Sequence, residues 1–400
     1  MKVIFLALAF PKMNNTKYLY FGLITEFHEN GHDVVVVAPA YDPNITGLQI
    51  ENGIKIIRVK TMPLFNVGLI KKGIANVLLP YQYKRAIKKY NLEFDHDLIL
   101  TPTPPISLHG VAAWLKKKSG AKIYLILRDI FPQNAVDLGL MSSKGLIHSY
   151  FRKKEKKLYA VSDRIGCMSQ GNISYIIKHN PSVPSEKLHL LPNWSDMIAV
   201  DSEEKILELR KKEGFENKFI VIFGGNIGLP QKLENIVELA AACQDHKDIL
   251  FLIMGGGSER KNLEDLIAAK NLDNIQLRDG VPQEEYMKWV LMADLGLISL
   301  SEKFTIPNIP SKSLSYYNSK TPILASIDMN TDYGQLLDDL NVGLWAEAGK
   351  TALLKQKLLV LYKDSELRMP MGKNGWNYMK ENLSSAHAYD TVIRETSLTD

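Results

Sequence analysis

Cysteine is nearly absent: Cys167 and Cys243 are the only two in 400 residues, and each lies within an apolar stretch. A disulfide framework and a thiolate metal site are therefore excluded, and a reducing compartment is expected. Long apolar runs are missing as well, since no stretch approaches the roughly 20 residues that a membrane-spanning helix needs. Residues 1–9, MKVIFLALA, are too few and are followed by Pro11, so they read as a first buried strand rather than a leader. The nine histidines show no zinc-ligand spacing, and no repeat or low-complexity tract interrupts the chain. What is present, 46% apolar and 23% charged residues, suffices for two domains with cores of their own.

Acidic residues are also missing, locally, between Glu51 and Glu93. That span holds Lys55, Arg58, Lys60, Lys71, Lys72, Lys84, Arg85, Lys88 and Lys89, interleaved with aliphatic and aromatic residues. Apolar residues at 70, 74, 77, 78 and 81 fall on one helical face. The result is a basic amphipathic segment suited to the headgroup boundary of an anionic bilayer, so membrane contact is expected through residues 52–92. The alternative is an ordinary surface helix with snorkelling lysines, kinked at Pro80. FRKKEKKLYAVSDRI, residues 151–165, adds to the basic surface. Residues 1–200 hold 26 basic and 14 acidic side chains (net +12), and residues 201–400 hold 23 and 30 (net −7). One half is thus expected to face a polyanion.

Buried strands alternate with helical stretches in both halves. KVIFLALAF, HDVVVVAPA, GIKIIRV, HDLILTPTP, KIYLILRDI, DRIGCMS and LHLLPNW form the first series. A charged, strand-free stretch at 201–218 follows, and then FIVIFGG, ILFLIMGGG, NIQLRDG, LGLISLS and PILASID. The pattern predicts an α/β protein of two doubly wound parallel-sheet domains facing across a cleft at their strand C-termini. The expected limits are 1–200, 201–375, and a C-terminal helix at 376–400 returning to the first domain.

Three strand-to-loop junctions of the second half suit an anion. In FIVIFGGNIGLPQKLENI, Gly224, Gly225 and Gly228 allow close backbone approach, the helix start near Pro230 presents free amides, and Lys232 adds charge. ILFLIMGGGSERKN repeats the arrangement with Gly255, Gly256 and Gly257. After LGLISLS comes FTIPNIPSKSLSYYNSK, where Pro310 suits a helix start, Ser311 is placed to cap amides and Lys312 to meet a phosphate. The glycine spacing matches neither a dinucleotide nor a Walker motif. A diphosphate ligand is expected instead. In the first half, Arg128 and Asp129 end a strand where acid/base work or acceptor orientation is plausible. Asn14, Asn15 and Thr16 follow the first strand, and His109 follows TPTPPISL, near the expected cleft.

These segments resemble the retaining glycosyltransferases of family 4, of GT-B architecture, and within them the WbuB-like L-fucosamine transferases of capsule and O-antigen synthesis. The resemblance rests on GHDVVVVAP, TPTPP, LRDIFPQNAVDLGLM, LLPNWSD, GGNIGLPQKLENI, FLIMGGGSERKNLEDL, VPQEEYMKWVLMADLGLISL and IPSKSLSYYNSKTPILAS, spanning about residues 31–346. It implies a nucleotide-sugar donor, UDP-linked, as substrate, with no metal and no cofactor. The sugar would be N-acetyl-L-fucosamine or a related amino sugar. The acceptor would be a polyprenyl-diphosphate-linked saccharide, and the enzyme would work on the cytoplasmic face of a bacterial membrane. Gly225, Asn226 and Gly228 would approach the donor diphosphate with Lys232 close by, Ser311 and Lys312 would bind phosphate or donor sugar, and Gly280 and Val281 would lie beside the base. Arg128, Asp129 and Lys312 would be the catalytic positions, and Asn14, Asn15, Thr16 and His109 would meet the acceptor. Family members commonly carry two glutamates eight positions apart, the second holding the donor ribose. Here those positions are Pro307 and Ser315, with Glu302 nearby.

Three other functions are compatible with parts of the pattern. A nucleotide-sugar epimerase would share two sheets but wants positioned carboxylates and histidines that the sequence does not offer. A non-catalytic partner subunit at the membrane is suggested by Ser315 in the glutamate position. Nucleic-acid binding is suggested by the basic half, without any of its fold signatures.

Overall fold

Strands covered by helices on both faces have no polar side to show, which is why so many of them read as unbroken apolar runs. The computed structural model describes residues 1–13, 18–40, 42, 44–63, 68–90, 93–199 and 202–397. Asn14, Asn15 and Thr16 lie outside the described residues. The chain divides into two units, residues 1–192 together with the C-terminal helix Ser385–Ser397, and residues 193–384.

In the first unit, β1 (Lys2–Leu6), β2 (Asp33–Pro39), β3 (Gly47–Glu51), β4 (Ile54–Val59), β5 (Leu98–Pro102), β6 (Lys122–Leu127), β7 (Arg164–Cys167) and β8 (Leu188–Leu190) make one sheet. Their order is β3-β4-β2-β1-β5-β6-β7-β8, so the winding reverses between β1 and β5. Val3 of β1 pairs with Val34 on one side and Leu98 on the other, both parallel. Ile4, Leu6, Val35, Ile99 and Ile123 pack against Leu79, Tyr83 and Ile87 of the helix Leu69–Lys89. The C-terminal helix is tied to this unit by Lys122 Nζ donating to Thr396 O (2.9 Å) and Arg164 Nε donating to Glu395 O (2.9 Å).

In the second unit, β9 (Phe219–Gly224), β10 (Ile249–Met254), β11 (Ile275–Arg278), β12 (Leu295–Ser299), β13 (Ile323–Ile327) and β14 (Gly343–Glu347) are all parallel. Their order, β11-β10-β9-β12-β13-β14, is that of a doubly wound nucleotide-binding sheet, with its switch point between β9 and β12. One face is packed by Val237, Leu239 and Leu358, the other by Val290, Tyr316, Tyr333 and Leu337.

The structure departs from the sequence reading in three places. β3 is antiparallel to β4, so the first sheet is not wholly parallel. The helix Leu69–Lys89 continues through Pro80 and buries Ala75, Leu79, Tyr83 and Ile87, which leaves Ile74, Val77, Leu78 and Tyr81 exposed on another face. Two of the expected membrane-facing cations are paired with carboxylates of the same unit, one at the surface and one buried. Lys55 pairs with Asp33 at 3.0 Å, and Arg58 is buried against Glu51 at 2.7 Å, where it also donates to the Phe10 and Pro11 carbonyls. Among the described residues no helix is long and apolar enough to cross a membrane.

Candidate functional site

The switch point of the second sheet lies between β9 and β12, and the loops that leave these strands stand at the usual ligand position of such sheets. The loop after β9 is pinned by alternate amides: Gly225 N donates to Met254 O (2.9 Å) and Ile227 N to Gly256 O (2.8 Å). Among the described residues the intervening amides of Asn226 and Gly228 have no partner. Alternation of this kind holds the loop rigid while keeping two donors for an anion.

Gly225 has φ +127°, and a Cβ there would sit 3.0 Å from Lys312 Cε and 3.3 Å from Lys312 Nζ. The predicted neighbours, glycine loop and lysine, thus come together. Lys312 Nζ lies 4.9 Å from the centre of the Phe223 ring, with no carboxylate paired to it among the described residues. Burial pulls its ammonium down to about 8. A half-buried, desolvated cation without a counterion is a place where an anion gains strongly charge-assisted hydrogen bonds.

The neighbouring loops are stacked on this one. Gly255 has φ +152°, and a Cβ on it would fall 1.8 Å from Gly225 O, so only glycine lets the two turns close. Gly280 packs on in turn, its Cβ position 3.5 Å from Gly255 Cα, with half-buried Val281 beside it. Below these loops, Tyr316 Oη reaches the carbonyls of Ile222 (3.1 Å) and Leu297 (3.0 Å), anchoring the short helix Ser313–Asn318 to β9 and β12.

The other predicted donor residues are placed less directly. Lys232 is ion-paired with Glu302, so its charge is partly neutralised. Ser311 is exposed and caps nothing: the N-cap is Lys312, with no side-chain cap bond, because the chain enters the helix through a tight turn, Ser313 N to Pro310 O and Leu314 N to Ser311 O, both 3.2 Å. Ser315 is half-buried, its amide bonded to Lys312 O at 3.0 Å.

In the first unit, β5 and β6 are neighbours, and this brings Thr103 to the end of β6. Its Oγ1 accepts from both Arg128 N (2.9 Å) and Asp129 N (3.2 Å). Thr103 had no assigned role beyond its place in TPTPP; strand adjacency is what reveals one. Burial pushes the Asp129 carboxyl up, opposed by Arg128. Tyr20 also meets Arg128, which offsets the upward push of burial on its hydroxyl. His109 is buried, with Nδ1 donating to Ile106 O at 3.0 Å, and burial draws its imidazole down. No group of three or more His, Cys, Asp or Glu that could hold a metal occurs among the described residues.

Comparison with known proteins fits this geometry. The family described as glycosyl transferases group 1 matches residues 205–378, and glycosyltransferase family 4 matches residues 20–197. The chain is 22% identical to the probable glycosyltransferase WbjE of Pseudomonas aeruginosa over 282 residues, 69% of this chain and 68% of that one. It is 26% identical over 252 residues, 60% of each chain, to WcaI of Escherichia coli (strain K12), a protein whose name assigns it to colanic acid biosynthesis. Among solved structures, HepE of Anabaena in complex with UDP superposes with a TM-score of 0.73 at 13% identity, covering 100% of both chains. Matched by transferase families across both halves, and built from two doubly wound sheets, the chain is a glycosyltransferase of GT-B fold, its first half similar to family 4 and its second to group 1.

Proposed function

We propose that this glycosyltransferase moves a sugar, with retention, from a UDP-linked donor to a polyprenyl-diphosphate-linked saccharide in the synthesis of a cell-surface polysaccharide. The observation that carries this reading is Lys312, which no carboxylate pairs among the described residues, set against the Gly225 turn whose Asn226 and Gly228 amides have no partner. Negative charge grows on the diphosphate as the glycosidic bond breaks, and preorganised donors aimed at it favour that charge over the ground state. The departing phosphate then serves as base for the acceptor hydroxyl, which needs no paired carboxylates. Asp129 and Arg128, fixed by Thr103, orient the acceptor. A donor of the L-fucosamine type fits the WbuB-like resemblance, and colanic acid in the name of WcaI agrees with an exopolysaccharide product. UDP bound to HepE supports uridine as the base. Action at the cytoplasmic face of the membrane fits the lipid-linked acceptor and the basic first half.

An epimerase or a catalytically silent partner subunit finds no support in the family matches, which are to transferases in both halves. The test is a thermal-shift and calorimetric panel of UDP, GDP, CDP and their sugars, followed by transfer to a synthetic prenyl-diphosphate saccharide. Stabilisation by UDP and anomeric retention in the product are expected. No response to any nucleoside diphosphate would sink the reading.

A further inference from the structure

Three consecutive glycines, Gly255, Gly256 and Gly257, make the turn after β10, and none of them has a side chain to brace it. Gly256 and Gly257 are exposed, and glycine loses more backbone freedom on being ordered than any other residue. The brace comes from the helix that follows, Arg260–Ala269. Arg260 Nη1 turns back to donate to Gly255 O and, at 3.0 Å, to Arg278 O at the end of β11. Its Nε bonds Glu264 at 3.1 Å and its Nη2 pairs with Asp279 at 3.0 Å.

These contacts differ in weight. Asp279 is 92% exposed and Glu264 42%, so both ion pairs lie in water and contribute little. The carbonyls matter more. A guanidinium is a rigid, permanently charged fork, and by holding the carbonyls of two neighbouring turns it fixes their separation. The braced turn in turn supports the loop after β9: Gly256 O accepts from Ile227 N (2.8 Å), and Glu259 N, next to Arg260, donates to Ile227 O (3.0 Å). Ile227 is thus held at both backbone groups, and its side chain is buried. It lies between Asn226 and Gly228, whose amides have no partner among the described residues. Any shift of the glycine turn would re-aim both donors.

We infer that Arg260 is a positioning residue for the donor diphosphate: by fixing the glycine turn after β10 it sets the direction of the Asn226 and Gly228 amides. It needs no contact with the phosphates to do so. Donors held in place before the ligand arrives spend nothing on reorganisation. This role presupposes that the loop takes a nucleoside diphosphate, as proposed above.

The test is calorimetry on the full chain with UDP and with inorganic diphosphate, in the wild type, Arg260→Ala, Arg260→Lys and Asp279→Asn, each shown to melt cooperatively above the titration temperature. Arg260→Ala is expected to weaken both ligands about tenfold. Arg260→Lys should recover only part of the loss, because one ammonium lacks the fork. Asp279→Asn, which removes an ion pair and leaves the carbonyl contacts, should stay within about twofold of the wild type. Methylguanidinium added to Arg260→Ala should restore affinity where methylammonium at equal ionic strength does not. A residue that only adds stability would lower the melting temperature and leave the affinity of the folded protein unchanged. Wild-type affinity in Arg260→Ala, or equal affinity in Arg260→Ala and Asp279→Asn, would overturn the role of Arg260 and leave the transferase reading standing. Where Arg260→Ala does not fold, wild-type affinity in Arg260→Lys has the same force. Binding of inorganic diphosphate without UDP would remove the nucleotide and keep the Arg260 comparison on diphosphate; binding of neither by the wild type would remove both.

Discussion

Lys312 concentrates the chemistry of the second unit in one side chain. Its ammonium sits beside Gly225, over the Phe223 ring, and burial holds it at about 8 against an ordinary 10.5. A charge-assisted hydrogen bond is worth about 1.5–3 kcal/mol, so Lys312→Met should weaken UDP roughly 10- to 100-fold by calorimetry. The same substitution should not lower the melting temperature at pH 7, because it removes a desolvated charge and keeps the apolar stem. The pH dependence has a definite sign. Between about 8 and 10.5 the unfolded chain binds the Lys312 proton and the folded chain does not, so folding stability rises with pH through that window. Denaturation at pH 8 and 10 should show this gain in the wild type, and Lys312→Met should lose it; an identical pH slope in the two proteins would place the ammonium in water. The sequence disclosed Lys312 through its position after a strand, in a Pro-Ser-Lys turn. It could not disclose Thr103, whose Oγ1 serves two amides only because β5 and β6 are neighbours, nor that Glu302 would claim Lys232.

Among elements, the glycine turns after β9, β10 and β11 behave as one stacked unit, and their glycines serve loop contact before ligand contact. Gly255→Ala tests this, since its Cβ would overlap Gly225 O and its φ is closed to other residues. Overpacking of this kind costs about 1–3 kcal/mol, and because the displaced turn is the donor loop, the substitution should lower both thermal stability and UDP affinity. Gly256→Ala, whose Cβ would meet nothing within 4 Å, is the control and should leave stability near the wild type. Strands buried on both faces were legible as apolar runs, and with them the fold class. The edge strands β3 and β14 were not: GLQIE leaves Leu48 and Ile50 exposed, and GLWAE is half-buried at the sheet margin, so neither has the continuous apolar signal. The helix Leu69–Lys89 was legible on its outer face, which stays exposed as expected, and not on its inner one. Two apolar faces compete on it, and periodicity alone cannot say that 75, 79, 83 and 87 take the core while 74, 77, 78 and 81 remain outside.

Across the whole molecule, charge and apolar exposure coincide. The sequence carries +12 in residues 1–200 and −7 in residues 201–400. The structure withdraws Lys55 and Arg58 from that excess but leaves Lys71, Arg85 and Lys88 exposed on one helix and Lys153, Lys156 and Lys157 on another. Glu155, the one acidic residue of the second helix, is buried and accepts from Arg152 and Tyr159, so it does not offset the lysines around it. Each basic side chain close to an anionic bilayer contributes about 1 kcal/mol, and the attraction falls off within a Debye length of about 8 Å at physiological salt. Insertion of Tyr81, Leu146 and Ile147 adds a part that salt does not screen. Flotation with vesicles containing phosphatidylglycerol should therefore recover the protein at low salt and progressively less as salt rises, with little recovery on phosphatidylcholine alone. Tyr81→Asp combined with Ile147→Asp should remove the salt-resistant fraction while leaving UDP binding intact, because both positions lie on the first unit and the donor loops on the second. Equal recovery on charged and neutral vesicles would show that the basic surface has another purpose.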